Sequence, residues 1–263
     1  MSGPDVEGLR VERADGIATL WLDRPAKRNA VTYPMWVGLA EHCRALADDS
    51  EVRLLLVRGE GDHFCAGADI GGLADVDPTE YRRANVAADE ALAAFPKPTI
   101  AVVTGACVGG GTEIATACDL RLADTTSRFG ITPARLGIVY PGVATARVVR
   151  LIGPSATKHL LFSAEIVDVE RAMRIGLVDE VHSPDALPGR VDDLVDTLVH
   201  RRSLLTQIAS KQIVDAIVAD GEVDPEVERH WQEVVASSAD TLEGAVAFAE
   251  RRDPRFTWVP PPA

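Results

Sequence analysis

Apolar and polar residues alternate in two short stretches near the start of the chain. Residues 9–13 and 17–22 follow the period of two that is typical of half-buried strands. The Asp-Gly pair at 15–16 between them favours a tight hairpin turn. Two apolar runs, 54–57 and 100–103, contain no polar residue, as expected of strands covered on both faces. The pattern therefore predicts a sheet that begins with a hairpin and continues with buried strands.

Segments with helical periodicity lie between these strands and make up the last part of the chain. Apolar positions recur at three-to-four-residue spacing over 35–47 and again around 81–95. Strand signals stop near residue 188, and four further helical stretches follow, at 191–205, 205–219, 225–235 and 242–252. Alternating strands and helices indicate an α/β fold. We assign residues 1–195 to an α/β core and residues 196–263 to a C-terminal helical region.

Charge and the length of the apolar runs exclude two classes of partner. Forty acidic and 27 basic residues among 263 give a formal net charge of −13, which repels a phosphate backbone, so nucleic acid is not expected as a partner. The longest uncharged stretch, 98–112, is shorter than the roughly 18 apolar residues of a membrane span and is interrupted by glycines. No membrane partner is expected.

The first residues and the cysteines indicate the compartment. The chain begins with acidic residues and glycines instead of the basic and apolar segments of a secretory signal. The four cysteines form no CxxC pair, which suits reduced thiols better than a disulfide framework or a zinc site. We therefore expect a cytoplasmic protein without a metal site, since His63 and Cys65 have no further ligands at metal spacing.

A glycine triplet followed by one carboxylate is the strongest chemical signal. Gly110 stands in the triplet at the end of a buried strand, and a helix is expected to begin at about Gly111. The first amides of a helix are free to hold negative charge. Glu113, three residues after Gly110, would place a base beside this anion-binding point. The alternative is that Glu113 only complements the positive end of the helix.

A second loop, residues 64–72, also leaves a buried strand and consists mostly of small residues. Small side chains expose backbone amides, so this loop is a candidate for a second hydrogen-bond donor. The alternative is a tight connection into a helix, with Asp69 as the helix cap. Spacings for dinucleotide, P-loop, serine-elbow and zinc-helix motifs are all missing from the sequence.

Four segments in order resemble the crotonase superfamily, also called the enoyl-CoA hydratase/isomerase superfamily: LDRPAKRNAV, FCAGADI, FPKPTIAVVTGACVGGGTEIATACDLRLAD and AFAERRDPRF. The resemblance covers nearly the whole chain. It implies a spiral core of ββα units and a C-terminal helical region that packs homotrimers, often paired as a dimer of trimers. It also implies an acyl-CoA thioester as substrate, with coenzyme A entering only as part of the substrate and no bound cofactor.

The resemblance also assigns residues to the site. It implies that the amides of Ala68 and Gly110 form an oxyanion hole for the thioester oxygen, with Glu113 as the acid/base. Its substrate-binding and CoA-binding positions match Arg24, Lys27, Arg28, Ala66, Asp69, Ile70, Phe248 and Arg251. The last two match positions that reach a nucleotide bound to a neighbouring subunit. The alternative for the basic residues is a pair of solvated surface patches.

One segment departs from the hydratase pattern. Hydratases of this family use a second glutamate in a segment of the type FGxPExxLG, but Pro133 occupies that position here. The stretch TPARLGIVY resembles methylmalonyl-CoA decarboxylases, in which a tyrosine at the position of Tyr140 belongs to the active site. Those enzymes carry a histidine where this chain has Ala68. The alternative for Tyr140 is an aromatic residue packed before a helix.

Hydration, isomerisation and malonyl-type decarboxylation therefore remain open, with a hydratase or isomerase that uses Glu113 favoured. A protein that binds acyl-CoA without catalysis is a further alternative. The walls of the acyl pocket are expected to come from segments such as 72–89.

Overall fold

The computed structural model describes residues 3–260, apart from the side chains at 73 and 74. Within this range the strands are β1 (Leu9–Ala14), β2 (Ile17–Leu22), β3 (Leu54–Gly59), β4 (Thr99–Val103), β5 (Ala106–Val108), β6 (Leu120–Asp124), β7 (Arg128–Gly130), β8 (Ile166–Asp168) and β9 (Glu180–His182). The helices are α1 (Tyr33–Ala47), α2 (Pro78–Ala93), α3 (Gly110–Ala117), α4 (Gly142–Ser163), α5 (Val169–Arg174), α6 (Leu187–His200), α7 (Leu204–Asp220), α8 (Pro225–Ser237) and α9 (Asp240–Glu250).

Two sheets form the core. The larger has the strand order β1-β2-β3-β4-β6-β9, and the smaller has the order β5-β7-β8. The hairpin is antiparallel, and the remaining pairs of the larger sheet are parallel. Ala14 pairs with Ile17 across the turn. Asp15 and Gly16 adopt positive φ angles of 51° and 82°, as a tight hairpin turn requires. The predicted hairpin and the α/β class are confirmed.

Both faces of the larger sheet are covered. Leu55 and Val57 of β3 belong to the main apolar cluster with residues of α1, α2 and α3. Leu54 and Leu56 face the other way and pack in a second cluster with α6. Successive strand residues point to opposite faces, so a strand buried on both sides is apolar throughout. The predicted boundary at residue 195 falls inside α6, whose buried face covers the sheet.

The C-terminal region is helical, as the periodicity predicts. Helices α7, α8 and α9 lie within about one turn of the predicted stretches, and Gly221 ends α7 in the left-handed conformation. Cys43, Cys65, Cys107 and Cys118 are free and buried. No helix between residues 3 and 260 has both the length and the apolar character required to cross a membrane.

The loop after β3 meets strand β5, which leads into the glycine turn before α3. Cys65 forms a parallel bridge with Cys107, in which the Cys65 amide donates to the Ala106 carbonyl at 2.8 Å and Val108 donates back to Cys65 at 2.9 Å. A β-carbon added at Gly111 would lie only 2.3 Å from the Cys65 carbonyl oxygen. Glycine therefore permits the close approach of the loops at this point.

The substitution Gly111→Ala tests this close approach. Because the new methyl group has no room beside the Cys65 backbone, we expect it to lower the free energy of unfolding by at least about 2 kcal/mol, measured by urea denaturation. Gly142→Ala is the matched control, since a β-carbon there meets nothing within 4 Å. The control should leave stability unchanged or raise it by about 0.4 to 1 kcal/mol. Equal midpoints for the two variants would contradict the predicted crowding at Gly111.

Candidate active site

Glu113 lies in the first turn of α3, directly after the glycine turn. Gly109 has φ 56° and ψ −115°, a conformation that glycine tolerates, and α3 begins at the next residue. The Thr112 hydroxyl fixes this turn because it contacts the carbonyl oxygens of Cys107 and Gly130 at 2.8 and 3.0 Å. The Glu113 side chain belongs to the buried interior, and the residue is only 2% exposed.

The backbone amides of Ala68 and Gly110 approach each other across the two loops. A β-carbon built on Gly110 would lie 3.5 Å from the Ala68 nitrogen, and one on Gly67 would lie 3.6 Å from the Gly110 nitrogen. Over residues 3–260, neither amide donates to a protein acceptor, although the neighbouring amide of Asp69 donates to Val31. Both residues are partly exposed. The structure thus brings two amides with unused donor capacity together beside α3.

Three charged or polar side chains surround the Glu113 carboxyl group. The Asn85 side-chain amide donates to Glu113 Oε1 at 2.9 Å. Asp89, one turn further along α2, forms an ion pair with Arg147 of α4, with distances of 2.6 and 2.7 Å to the two carboxylate oxygens. Burial and the Asp89 charge raise the pKa of Glu113 to about 8, while the Asn85 hydrogen bond and Arg147 oppose the shift.

Tyr140 contacts the glycine turn, and Pro133 follows a residue that lies close to it. The Tyr140 hydroxyl donates to the Gly109 carbonyl at 3.0 Å, and burial raises the pKa of this phenol. Pro133 is buried in a short 3-10 turn, Pro133–Arg135. Thr132, the residue before it, has its hydroxyl 3.8 Å from a β-carbon built on Gly109. A catalytic role for Tyr140 stays a prediction, since its proton is directed at the backbone of the turn.

A group of aromatic side chains lies near Gly110. The Trp36 ring lies 3.0 Å from a β-carbon built on Gly110, and its indole nitrogen donates to the Tyr81 hydroxyl at 2.8 Å. Burial raises the pKa of Tyr81 to about 12, so this hydroxyl stays protonated at neutral pH. The Tyr33 ring lies 6.5 Å from that of Tyr81. The sequence pattern does not reveal this group, because aromatic residues on a helix usually indicate the core.

The predicted residues of the segment 24–30 and of the loop 64–72 come together. Arg24 forms an ion pair with Asp69 at 2.8 Å and also donates to the Ala30 carbonyl at 2.6 Å. Asp69 accepts a hydrogen bond from the Gly71 amide at 3.2 Å and caps the 3-10 turn Ile70–Asp75, as its alternative role predicts. The Ala66 amide donates to the Arg28 carbonyl at 2.9 Å. Three further candidates have exposed side chains: Lys27, Arg28 and Ile70.

Phe248 and Arg251 lie in the helical region at the end of α9. Phe248 is 87% exposed, and Arg251 caps the helix in the left-handed conformation with φ 55°. Phe248 lines a cavity whose other walls include 116–118 at the carboxyl end of α3 and Arg147. Among the described residues, those lining this cavity do not include Glu113, Ala68 or Gly110. Within one chain, the structure places these two predicted residues outside the group around Glu113.

Asn85, Asp89 and Arg147 are also absent from the sequence-based site. A signal for two of them exists in the helical pattern, because Asn85, Ala88, Asp89 and Leu92 are spaced as one buried helix face. Two polar residues on such a face require partners. The partner of Asn85 lies 28 residues away in sequence, and that of Asp89 lies 58 residues away.

Comparison with known proteins covers almost the whole chain. A family model for enoyl-CoA hydratase/isomerase matches residues 12–258. The crotonyl-CoA hydratase of Syntrophomonas wolfei is 30% identical over 254 residues, which are 95% of this chain and 98% of that protein. The mitochondrial methylglutaconyl-CoA hydratase of Mus musculus is 32% identical over 255 residues, which are 93% and 81% of the two chains.

A solved structure extends this similarity to the fold. The crystal structure of an enoyl-CoA hydratase/carnithine racemase from Magnetospirillum magneticum superposes with a TM-score of 0.91 at 28% sequence identity, covering 96% of each chain. The fold expected from the sequence resemblance is therefore confirmed. The chain belongs to the enoyl-CoA hydratase/isomerase family of the crotonase superfamily, and it is an enzyme that acts on acyl-CoA thioesters.

Proposed function

We propose that this enzyme hydrates an enoyl-CoA thioester or shifts its double bond, with Glu113 as the acid/base and the amides of Ala68 and Gly110 as an oxyanion hole. The observation that carries the proposal is the meeting of two amides, neither of which donates to a protein acceptor in the described part of the chain, near a buried carboxyl group. These groups supply what enolate chemistry requires, namely donors for the developing oxyanion and a base at the neighbouring carbons.

The two amides act on the thioester oxygen. When a proton leaves the carbon beside the carbonyl, or a nucleophile adds to the next carbon, negative charge develops on that oxygen. Preset amides stabilise the charged transition state more than the neutral thioester, and one such donor typically contributes roughly 3 to 4 kcal/mol. This chemistry requires no bound cofactor, so coenzyme A enters only as part of the substrate.

Glu113 acts as a single proton carrier in both reactions. In isomerisation, its carboxylate removes a proton from one carbon and returns it to a carbon two positions away. In hydration, it removes a proton from water while the water oxygen bonds to the β-carbon, and it then delivers that proton to the α-carbon. A pKa of about 8 suits both directions of transfer near neutral pH. One carboxyl group is sufficient for this cycle, so a second glutamate at the position of Pro133 is not needed.

We assign the binding of the CoA part to the segment 24–30 and the loop 64–72. Ala66, Asp69 and Ile70 would line the thioester end, with Arg24 holding the two loops together through Asp69. The exposed Lys27 and Arg28 would meet the phosphates, because cations are scarce in a protein of net charge −13. Phe248 and Arg251 would reach the nucleotide of a neighbouring subunit.

We further propose that the enzyme is a cytoplasmic homotrimer or dimer of trimers. Support for assembly comes from large apolar side chains that are exposed in the single chain, namely Leu136, Ile138, Val139, Phe162, Met173 and Phe248. The four free cysteines support the proposed cytoplasmic location.

Sedimentation equilibrium of the purified protein should give three or six times the chain mass. A monomer at micromolar concentration would contradict the proposed assembly.

The substitution Glu113→Gln tests the proposed acid/base role. It keeps the shape and the acceptor oxygen for Asn85 but removes the transferable proton. We expect kcat for hydration of crotonyl-CoA, or for isomerisation of a 3-enoyl-CoA, to fall roughly 10²- to 10⁴-fold with a smaller change in KM. Glu90→Gln, at an exposed acid of α2, is the control and should retain full activity.

Three other outcomes separate the alternatives. Equal hydration and isomerisation by wild type and Glu113→Gln would refute the assigned role of Glu113. Decarboxylation of malonyl-CoA that survives Glu113→Gln and falls in Tyr140→Phe would indicate a malonyl-type decarboxylase instead. Retained CoA binding without turnover of any tested thioester would indicate a non-catalytic acyl-CoA-binding protein.

A further inference from the structure

The buried face of α2 contains polar residues where an apolar stripe is expected. Asn85, Ala88, Asp89 and Leu92 are its buried residues, and each of the two polar ones is at most 7% exposed. Burying an amide or a carboxylate without a hydrogen-bond partner costs several kcal/mol, on the order of 2 to 7 for an amide. Polar residues at both positions therefore need specific partners, and the partners indicate their function.

Asn85 contacts the proposed acid/base directly. Its side-chain nitrogen lies 2.9 Å from Glu113 Oε1, so one carboxyl oxygen is engaged by a donor from a neighbouring helix. A hydrogen bond to a carboxylate favours the ionised form and fixes the side-chain rotamer. With Oε1 held in this way, Oε2 is the oxygen that can exchange a proton with a substrate.

Asp89 balances charge one turn further along the helix. Its side chain is fully buried, and both oxygens are contacted by Arg147, whose side chain is 24% exposed. Alone, the Asp89 carboxylate would oppose ionisation of Glu113 strongly, because few water molecules screen the two charges. The contact of Arg147 Nη1 with both carboxylate oxygens offsets this repulsion.

Among the residues that the structure describes, the other titratable groups that interact electrostatically with Glu113 carry no charge at neutral pH. They are Cys65 of the second loop, Tyr81 of α2 and Tyr140 before α4, and burial raises the pKa of all three. Asp89 and Arg147 are therefore the charged neighbours that act on the carboxyl group, together with the dipole of the Asn85 amide.

We propose that Asn85 is the positioning residue for Glu113, holding Oε1 so that Oε2 exchanges the proton, and that the Asp89–Arg147 pair keeps this buried site close to electrically neutral. The inference deepens the proposed function and rests on the acid/base role assigned to Glu113. It accounts for two buried polar residues on α2 that the core does not require.

The test replaces the amide and follows the carboxyl group directly. Asn85→Leu removes the donor at similar volume, and Asn85→Asp keeps the shape if the leucine variant does not fold. The pKa of Glu113 is measured from its ¹³C carboxyl signal in uniformly labelled protein, assigned by its loss in Glu113→Gln. In parallel, the dependence of kcat/KM on pH is measured with crotonyl-CoA.

Loss of the donor should raise the pKa of Glu113 above its wild-type value of about 8, because the hydrogen bond favours the ionised form. The pH at which kcat/KM reaches half of its maximum should increase by the same amount. At pH 7.5, kcat should fall roughly 10- to 100-fold, as expected for the loss of a hydrogen bond to a charged group, with little change in KM. Asn85→Asp should raise the pKa further, since it adds a second carboxyl group.

Thr157→Val is the matched control for the loss of a buried hydrogen bond. The Thr157 hydroxyl donates to the Gly153 carbonyl within α4, so this variant should lower stability without moving the pKa or the pH profile. A pKa and a pH profile unchanged in both Asn85 variants would overturn the inference. Full activity of Glu113→Gln would instead refute the acid/base role itself. That activity is measured independently of the carboxyl titration.

Discussion

The parallel pairing of backbone at Cys65 and Cys107 is the contact on which the arrangement of the site depends. It joins the loop after β3 to the strand before α3, and it places Ala68 beside Gly110. The approach requires a residue without a β-carbon at Gly111, and Gly109 before it adopts a positive φ of 56°. Within residues 3–260, neither of the two amides donates to a protein acceptor. The sheet fixes their position, which is the preset arrangement that the proposed oxyanion hole requires.

A buried carboxyl group beside these amides creates an electrostatic problem that the neighbouring helices solve. Glu113 would be costly to ionise in the interior, and Asp89 adds further negative charge nearby. Arg147 from α4 neutralises Asp89, and Asn85 from α2 donates to Glu113. The resulting balance gives a carboxyl group with a pKa near the physiological range, as the proposed acid/base role requires. Core packing and chemistry are thus joined in α2, α3 and α4.

The parts predicted from sequence are those determined by local pattern. The hairpin follows from alternation and an Asp-Gly turn, and the two-sided burial of β3 follows from its unbroken apolar run. The glycine triplet predicted the start of α3 at about Gly111, and the helix begins at Gly110. The crotonase resemblance named Ala68 as the partner of Gly110, which spacing alone leaves open.

The parts that sequence did not supply depend on contacts between distant segments. Helical periodicity treats Asn85 and Asp89 as breaks in an apolar face, and only the packing of α2 on α3 and α4 shows that they are buried with partners. The ion pair of Arg24 with Asp69 likewise joins two loops, so a residue predicted as a phosphate ligand has a structural contact as well. Phe248 and Arg251 belong to the helical region, and their proposed function depends on a second subunit.

A structure of the protein in complex with acetoacetyl-CoA tests the central claim most directly. The thioester oxygen should lie within about 3 Å of the amide nitrogens of both Ala68 and Gly110, with the Glu113 carboxyl group facing the α- and β-carbons. A thioester oxygen bound elsewhere, or amides that point apart when the ligand is bound, would contradict the account.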